Sequence, residues 1–300
     1  MKVFITGAGG YIGGTLAVRL IEQGCQVRGL TRNADAAQRL TLLGIDPVIG
    51  DLDDAPLLTA EAAKADVVVN AANADHRNAV EALIAGLSGS GKALIHTSGT
   101  SLIGDDARGE FCAEAIFSED TPLRVDPRKQ ARRDIDVRVL DSAQLNIRSA
   151  VIIPSLIYGA GAGLKKHSIQ VPFLVQNAMD AGEVQIVGKG ANTWSNVHID
   201  DLVDLYLRVI SKAPAGAFYF AENGEVSFAK VASALSARLH LPKIVNLAAD
   251  DAVQRWGMAR ALFTFGSNCR VRAVRARQEL GWTPAHASLQ EWILSESELV

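Results

Sequence analysis

Three glycines at three-residue intervals stand between the first apolar run of the chain and an amphipathic stretch. Lys2 to Thr6 is a strand-like run, and Tyr11 to Gln23 repeats its apolar residues at helical spacing. In such a unit the first glycine permits a tight turn, the second lets backbone approach a pyrophosphate, and the third lets helix and strand pack closely. The helix N-terminus adds N–H donors and positive potential. The sequence therefore predicts a dinucleotide site, with contacts at Gly7, Gly10, Tyr11, Ile12 and Gly13.

The first half of the chain alternates short β-branched runs with helical patterns, which predicts a parallel sheet with helices on both faces. The predicted strands are Lys2–Thr6, Gln26–Leu30, Asp46–Ile49, Val67–Asn70, Ala93–Thr97 and Asn146–Ile153. Residues 158–193 are glycine-rich, and we expect them to be irregular. A helix at Asp200–Ser211, a short strand at Ala217–Ala221 and a helix at Ser227–Leu239 follow. We predict an α/β fold: a doubly wound parallel Rossmann sheet with a small discontinuous C-terminal substrate lobe.

The length of 300 residues, 48% of them hydrophobic, suits one large core or one domain with a smaller lobe. We expect residues 1–158 to form the dinucleotide-binding domain, completed by a segment from about 196 to 222. Residues 159–195 and 223–300 are then expected to form the substrate-binding lobe.

Charge and cysteine content restrict the partners and the compartment. The net charge is −3, with 30 basic and 33 acidic residues well mixed, so we expect no nucleic-acid partner. No apolar run approaches the roughly 20 residues that cross a bilayer, and we expect no membrane association. Three widely spaced cysteines and a strand that begins directly after Met1 indicate a reducing, cytoplasmic location. The expected partner is a small-molecule substrate, and a homodimer is allowed.

The end of the second predicted strand indicates which dinucleotide is preferred. A site that selects NAD usually carries an acidic residue there for the ribose hydroxyls, but the sequence reads Leu30-Thr31-Arg32. Arg32, helped by Arg28 or Thr31, can pair with the 2′-phosphate of NADP; alternatively, it is a solvated loop cation. We expect NADP(H) as the preferred cofactor and NAD(H) as the second candidate. Further cofactor contacts are expected at Asp51, Leu52, Ala71 and Ala72.

Motifs spread over nearly the whole chain resemble the extended and atypical short-chain dehydrogenase/reductase superfamily. They are the Thr6–Gly13 turn, Asp51-Leu52, Thr97-Ser98, Pro154–Gly159, Asn196–Asp201 and Arg277–Pro284. The resemblance implies NAD(P) across the C-terminal ends of the strands, with Pro154 at the cofactor and substrate under the lobe. The runs Ala74–His76, Ser168–Pro172 and Phe220–Gly224 are similar to a poorly characterised, largely fungal group of epimerase-like proteins.

The chain departs from that superfamily at the catalytic residues. Members that reduce carbonyls use a Ser, a Tyr and a Lys four residues beyond the Tyr. Ser98 matches the first, and we expect it to polarise the reacting oxygen. No tyrosine occurs between Tyr11 and Tyr158, so the other two are missing. We expect Tyr158 to supply the proton instead; the alternative is that it packs as a loop aromatic.

The helix that should carry the missing pair is expected near Pro127–Arg133 and is basic. Arg128 and Arg132, or Lys129 and Arg133, are four residues apart and share a helical face. One of them can hold the ribose or a substrate carboxylate in place of the lysine. The alternative is a solvated basic face.

Polar and aromatic residues of the second half suggest a substrate cavity. We expect His167, Gln170, Trp194 and Asn196 to line it, although Trp194 can instead pack the lobe onto the sheet. His96, inside the fifth predicted strand, is expected to be buried and hydrogen-bonded, and His198 is expected to position a strand-to-helix corner. We expect no metal site, because no cluster has metal-ligand spacing.

These observations favour an NADP(H)-dependent oxidoreductase on a small organic carbonyl or sugar-like substrate, without the conventional Tyr/Lys couple. A non-redox isomerase or cyclase, or an epimerase, on the same scaffold is the second hypothesis. The third is a non-catalytic NADP-sensing regulator.

Overall fold

The computed structural model describes residues 1–296, and a seven-stranded parallel sheet lies at its centre. In this range the strands are β1 (Lys2–Thr6), β2 (Gln26–Thr31), β3 (Asp46–Ile49), β4 (Val67–Asn70), β5 (Ala93–Thr97), β6 (Arg148–Pro154), β7 (Leu156–Tyr158), β8 (Val184–Val187), β9 (Thr193–His198), β10 (Ala217–Ala221), β11 (Glu225–Ser227) and β12 (Ile244–Leu247). The central sheet has the order β10-β6-β5-β4-β1-β2-β3. Every residue of β4 is buried, as expected of a parallel strand covered on both faces.

Helices cover both faces of this sheet, with α1 packed beside α7 and α3 beside α4. Over the same range they are α1 (Tyr11–Glu22), α2 (Ala34–Leu42), α3 (Ala55–Lys64), α4 (Arg77–Leu87), α5 (Gln130–Asp141), α6 (Gln170–Ala181), α7 (Ile199–Lys212), α8 (Phe228–Leu239), α9 (Ala249–Trp256), α10 (Met258–Arg260), α11 (Val274–Leu280) and α12 (Leu289–Ser295). Within residues 1–296, no helix combines the length and the apolar character needed to span a bilayer.

The order of the central sheet reverses between β1 and β4. The chain builds β1, β2 and β3 outward and then returns to the other side of β1. In open parallel sheets, ligands bind at the carboxyl ends of the strands beside such a reversal. The predicted Rossmann architecture is confirmed, and all six predicted strands of the first half are present. The sixth begins at Arg148 rather than Asn146, because Asn146 has a φ of 53° and its N–H closes a turn with Ala143.

The second half of the chain contributes to the central sheet and also builds two smaller sheets. Strand β10 pairs in parallel with β6 as the seventh strand. Strands β7, β9 and β11 form one small sheet, and β8 and β12 form the other. The expectation that residues 158–193 are irregular is wrong, because they contain α6 and β8. Buried residues at helical spacing, among them Leu174, Val175 and Ala178, explain α6. The division into two domains stays a prediction.

Candidate functional site

The glycine turn between β1 and α1 depends on close backbone contacts. Gly7 has a φ of 81°, and a Cβ there would lie 2.7 Å from the carbonyl oxygen of Ala71. The N–H of Gly10 donates to the carbonyl of Gly7 at 2.8 Å. A Cβ on Gly13 would lie 2.5 Å from that same carbonyl oxygen, so α1 begins directly against the turn. Larger side chains at these positions would displace backbone rather than fill empty space.

A cavity of about 630 Å³ opens at the carboxyl ends of β1, β2, β3 and β4. Seven of the predicted cofactor residues line it, namely Gly7, Gly10, Arg32, Asp51, Leu52, Ala71 and Ala72. Its lining does not include the other four, Tyr11, Ile12, Gly13 and Pro154. Gly13 supports the turn from behind, and Pro154 is the buried last residue of β6. The cofactor contacts themselves stay a prediction.

The residues around this cavity fit a dinucleotide pyrophosphate. Gly10 occupies the N-cap position of α1 and provides no side-chain cap, which leaves the N–H groups of the first turn for an anion. Gly9 lines the cavity, and a Cβ there would meet only Leu164 Cδ1, at 4.0 Å. Lys165 adds a cation to the lining. Sequence reasoning did not select Lys165 as a cofactor residue, because it lies far along the chain in a segment without a recognisable pattern.

That segment, residues 159–166, is fixed against α1. The Tyr11 hydroxyl donates to the carbonyl oxygen of Gly159 at 2.7 Å, and the N–H of Ala162 donates to Thr15 Oγ1 at 3.2 Å. Gly163 packs so closely on Gly14 that a Cβ on Gly14 would lie 3.2 Å from its Cα. Tyr11 therefore holds the segment that carries Lys165 over the glycine turn.

Arg32 lies one residue beyond β2, exposed to solvent at the edge of the cavity. Within residues 1–296 it has no hydrogen-bond or ion-pair partner, so its guanidinium is available to a ligand. The next residue, Asn33, caps α2 by accepting the N–H of Ala36 at 2.9 Å, which fixes the backbone beside Arg32.

The expectation that Arg28 assists Arg32 is wrong. Its guanidinium contacts Asp46 at 2.9 Å and the buried carboxylate of Glu61. Arg28 pairs across the sheet with Asp46, the first residue of β3, so it lies toward the opposite end of the strands. Thr31, the other expected helper, is the last residue of β2 and does line the cavity.

Two carboxylates on the cavity edge already have partners. Asp51 accepts the N–H of Asp53 at 2.9 Å, and the carboxylate of Asp53 lies 3.2 Å from His76 Nε2. His76 Nδ1 accepts the N–H of Ala79 and caps α4. These contacts join the loops after β3 and β4 around the place where the predicted cofactor contacts gather.

Ser98, the predicted catalytic serine, follows β5 directly and its hydroxyl donates to Asp136 Oδ2 at 3.0 Å. Asp136 lies on α5, the helix where the conventional Tyr/Lys couple is missing, and it is fully buried. Sequence reasoning missed Asp136 because an acidic residue in a charged helix gives no signal of burial. Burial raises its pKa to about 7, although the Ser98 hydrogen bond and nearby guanidinium groups oppose this rise.

A chain of buried polar groups connects Asp136 to the glycine turn. His96 Nε2 lies 3.7 Å from Asp136 Oδ1, and His96 Nδ1 lies 3.0 Å from Asn70 Nδ2. Asn70 Oδ1 in turn accepts the hydroxyl of Thr6 at 2.5 Å, directly before Gly7. The expectation that His96 is buried and hydrogen-bonded is confirmed, and burial lowers its pKa to about 4.

Arg132, on α5, contacts the loop that follows Ser98. It forms a two-point ion pair with Asp75, with distances of 2.7 and 2.5 Å, and donates to Ser101 Oγ at 3.2 Å. A Cβ on Gly99 would lie 3.5 Å from its guanidinium. Arg128, by contrast, is exposed and pairs with Asp126 in the preceding turn. Arg132 therefore contacts the loop at the end of β5.

The proposed role of Tyr158 as proton donor is wrong on geometric grounds. Its ring is 1% exposed and packs edge-on against His198 and beside Trp292. Its hydroxyl donates to the carbonyl oxygen of His286 at 3.1 Å, and burial raises its pKa. The alternative, packing by a loop aromatic, describes its contacts, because a buried phenol whose proton is already donated elsewhere cannot serve a substrate.

The four predicted substrate residues do not line the dinucleotide cavity. His167 is exposed, and Gln170 is the first residue of α6. Trp194 is buried and its indole N–H donates to the carbonyl of Ser267 at 2.8 Å, so its role is packing, which corrects the substrate assignment. Asn196 is 1% exposed, and its side-chain oxygen has no hydrogen-bond partner within residues 1–296. Substrate roles for His167, Gln170 and Asn196 stay predictions.

The fold brings together three potential metal ligands that the sequence separates. Ligand atoms of His198, Asp200 and His286 lie within 4.8 Å of one another. His198 Nδ1 accepts the N–H of Asp200 and caps α7, while a Cβ on Gly159 would lie 2.3 Å from His198 Nε2. Because of this cap, and because its ring stacks on that of His286 at a centroid distance of 3.9 Å, His198 stabilises the corner between β9 and α7. The structural role expected for His198 is confirmed.

Comparison with known proteins identifies the family. Residues 3–219 match the model of the NAD dependent epimerase/dehydratase family, and the chain belongs to that family. This confirms the resemblance inferred from the motifs. The oxidase ucsJ of Acremonium sp is 32% identical over 94% of this chain and 92% of its own length.

A second relative is the 2-alkyl-3-oxoalkanoate reductase of Stenotrophomonas maltophilia, 28% identical over 75% of this chain and 71% of its own length. Among solved structures, the dTDP-glucose 4,6-dehydratase of Bacillus anthracis in complex with NAD superposes with a TM-score of 0.77 at 18% identity. The match covers 98% of this chain and 95% of that one, which confirms the fold.

Proposed function

We propose that the chain is an NADP(H)-dependent oxidoreductase that acts on a small organic carbonyl or sugar-like substrate. One observation carries most weight: the uncapped N-terminus of α1 faces a cavity lined by Arg32 and Lys165. Ser98 follows β5 at the same carboxyl edge of the sheet. The cavity and the buried Ser98 hydroxyl thus lie at one edge of the sheet, which supports this proposal.

Two relatives support redox chemistry, since one is named an oxidase and the other a 2-alkyl-3-oxoalkanoate reductase. The structural neighbour from Bacillus anthracis is described in complex with NAD. These likenesses favour a nicotinamide cofactor. The preference for NADP(H) depends on Arg32, the unpaired guanidinium beside the cavity.

A bound NADP(H) would supply or accept a hydride. The N–H groups at the start of α1 would bind its pyrophosphate, with Lys165 as counter-charge, and Arg32 would pair with the 2′-phosphate. Ser98 would donate a hydrogen bond to the substrate oxygen, where negative charge develops. Arg132, held by Asp75 above Gly99, would orient a polar or anionic part of the substrate.

The test is stoichiometric turnover by the full chain. NADPH would be incubated with a panel of ketones, aldehydes, 3-oxo acids and nucleotide sugars, and cofactor absorbance would be compared with the product formed. Equal consumption of cofactor and carbonyl is the expected result, and Ser98→Ala should lose it. Conversion of a sugar without net cofactor oxidation would favour the epimerase hypothesis. NADPH binding with no conversion of any compound would favour the sensor hypothesis.

A further inference from the structure

Asp136 lies beside Ser98, on the helix where the conventional Tyr/Lys couple is missing. It lies on α5, it is fully buried, and its Oδ2 accepts the Ser98 hydroxyl at 3.0 Å. Its other oxygen, Oδ1, has no hydrogen-bond partner within residues 1–296. We propose that Asp136 replaces the missing tyrosine as the proton source and delivers the proton to substrate through Ser98. This inference rests on the proposed function.

The hydrogen bonds between the buried side chains of Thr6, Asn70 and His96 determine which atoms carry the protons. Because the Thr6 hydroxyl donates to Asn70 Oδ1, the Asn70 amide N–H₂ must face His96 Nδ1 and donate to it. His96 is neutral, since burial lowers its pKa to about 4, so its own proton sits on Nε2 and faces Asp136 Oδ1 at 3.7 Å. At that distance the two groups form no hydrogen bond, and neither atom has a hydrogen-bond partner among the described residues.

The two protonation states of Asp136 set the direction in which Ser98 donates. When Asp136 is ionised, the single hydroxyl proton of Ser98 points inward to the carboxylate, as in this structure. When Asp136 is protonated, its O–H donates to Ser98 Oγ, and the Ser98 proton is free to point toward a substrate oxygen. Ser98 is thus the catalytic residue, and Asp136 is a positioning residue that acts through it.

Titratable groups from three elements lie around Asp136. Arg132 and Arg133 on its own helix lower its pKa, Asp75 from the loop after β4 raises it, and His96 of β5 lies beside it uncharged. Burial outweighs these influences, so that the pKa of Asp136 is raised to about 7. The carboxyl group can therefore hold a proton and release it near neutral pH.

The step balances as a two-electron reduction. A bound reduced nicotinamide would supply the hydride and both electrons, and the substrate carbon would form a C–H bond with that hydride. The carbonyl π-bond breaks toward oxygen, which forms an O–H bond with the Ser98 proton as the Ser98 Oγ–H bond breaks. Ser98 recovers a proton from Asp136, which remains as carboxylate and is later protonated from solvent. The net reaction consumes one carbonyl, one reduced cofactor and one proton.

Infrared difference spectroscopy tests, without substrate or cofactor, whether the Asp136 carboxyl carries a proton near neutral pH. Full-length protein would be titrated from about pH 5 to about pH 9, and the C=O stretch of a protonated carboxyl followed. We expect a band with a midpoint near 7 that is absent in Asp136→Asn and retained in Asp134→Asn, a control on an exposed part of the same helix. Ser98→Ala should move the midpoint upward, because the Ser98 hydrogen bond lowers the pKa of Asp136. The shift in Ser98→Ala shows whether the titrating carboxyl is bonded to Ser98, even if Asp136→Asn does not fold.

Kinetics then test the relay itself with any carbonyl that the chain reduces. The parent rate of reduction should fall as pH rises through about 7, and the rate of alcohol oxidation should rise. Asp136→Asn should lower kcat at least tenfold, keep the affinity for NADPH within twofold and lose both pH dependences. Parental kcat and pH profile in Asp136→Asn, or no titrating band in the parent, would overturn the relay. A chain that reduces no carbonyl would contradict the proposed function, and the infrared titration would still decide whether Asp136 stores a proton for Ser98.

Discussion

Arg132 and Asp75 form a two-point ion pair, with Nε–Oδ1 at 2.7 Å and Nη2–Oδ2 at 2.5 Å. The pair joins α5 to the loop after β4, and the guanidinium lowers the pKa of Asp75. Because α5 also carries Asp136, the pair holds the helix in register with β5 and Ser98. Arg132 is mostly covered, with 18% of its side chain exposed, whereas the Asp75 side chain is 56% exposed.

Arg132→Lys should destabilise the protein, because lysine cannot reproduce the two parallel hydrogen bonds of guanidinium. We expect a loss on the order of 1 kcal/mol in the free energy of unfolding, since Asp75 is partly solvated. Arg128→Lys is the matched control, because Arg128 forms an exposed ion pair with Asp126 within the same turn. The loss in free energy of unfolding should be smaller for this variant. Chemical denaturation measures both. Equal effects of the two substitutions would show that the Asp75 pair does not hold α5.

Tyr158→Phe and Ser98→Ala should separate packing from chemistry. The Tyr158 hydroxyl donates to the carbonyl of His286, so its removal should cost about 1 kcal/mol of stability and leave turnover within twofold of the parent. Ser98→Ala should lower turnover at least tenfold with little change in NADPH affinity. Steady-state kinetics and thermal melts report on both. A tenfold loss of turnover in Tyr158→Phe, at unchanged fold, would restore Tyr158 as the proton donor.

Arg32→Ala should reduce the discrimination between the two dinucleotides. Loss of one guanidinium-phosphate pairing at an exposed site should weaken NADPH binding roughly tenfold to a hundredfold and leave NADH binding unchanged. Arg39→Ala, in the last turn of α2, is a control outside the cavity lining. Calorimetric titration with each cofactor gives the dissociation constants. Equal constants for NADPH and NADH in the parent would contradict the preference.

The burial of Asp136 should make stability fall as pH rises. Its pKa is raised from the ordinary 3.8 to about 7, so the folded protein holds a proton that the unfolded chain has released between these values. The stabilising contribution is complete below about 4 and is lost as pH rises through about 7, a change on the order of 4 kcal/mol. Urea denaturation at several pH values should show this fall in the parent and a flatter profile in Asp136→Asn. A steeper or equal fall in the variant would contradict the assignment.

Local pattern was sufficient to predict the central sheet. The sequence predicts a buried strand at Val67–Asn70 and an amphipathic helix at Tyr11–Gln23, because the spacing of apolar residues indicates which faces are buried. Strand β8, a buried apolar run, and helix α6 were missed because glycines on either side suggested an irregular segment. Most glycine-turn and strand-end residues converge at one cavity because the carboxyl ends of parallel strands share an edge.

Contacts between distant segments could not be predicted in the same way. Lys165 reaches the glycine turn only because Tyr11 and Thr15 hold the segment from Gly159 onward. Ser98 and Asp136 are 38 positions apart, so the local sequence pattern gives no indication of the hydrogen bond between them. Tyr158 was misassigned for the same reason, since its position after β6 is evident from sequence but the direction of its hydroxyl is set by the chain near His286.

The most direct measurement is the dissociation constant of NADPH for the parent chain and for Gly9→Val. Gly9 lines the cavity, and a Cβ there meets only Leu164 Cδ1 at 4.0 Å, so the added methyl groups enter the expected pyrophosphate site with little disturbance of the protein. Calorimetry should give saturable binding to the parent and at least tenfold weaker binding to the variant, with the same circular-dichroism melt. No binding by the parent, or equal affinity in the two proteins, would contradict a dinucleotide site at the glycine turn.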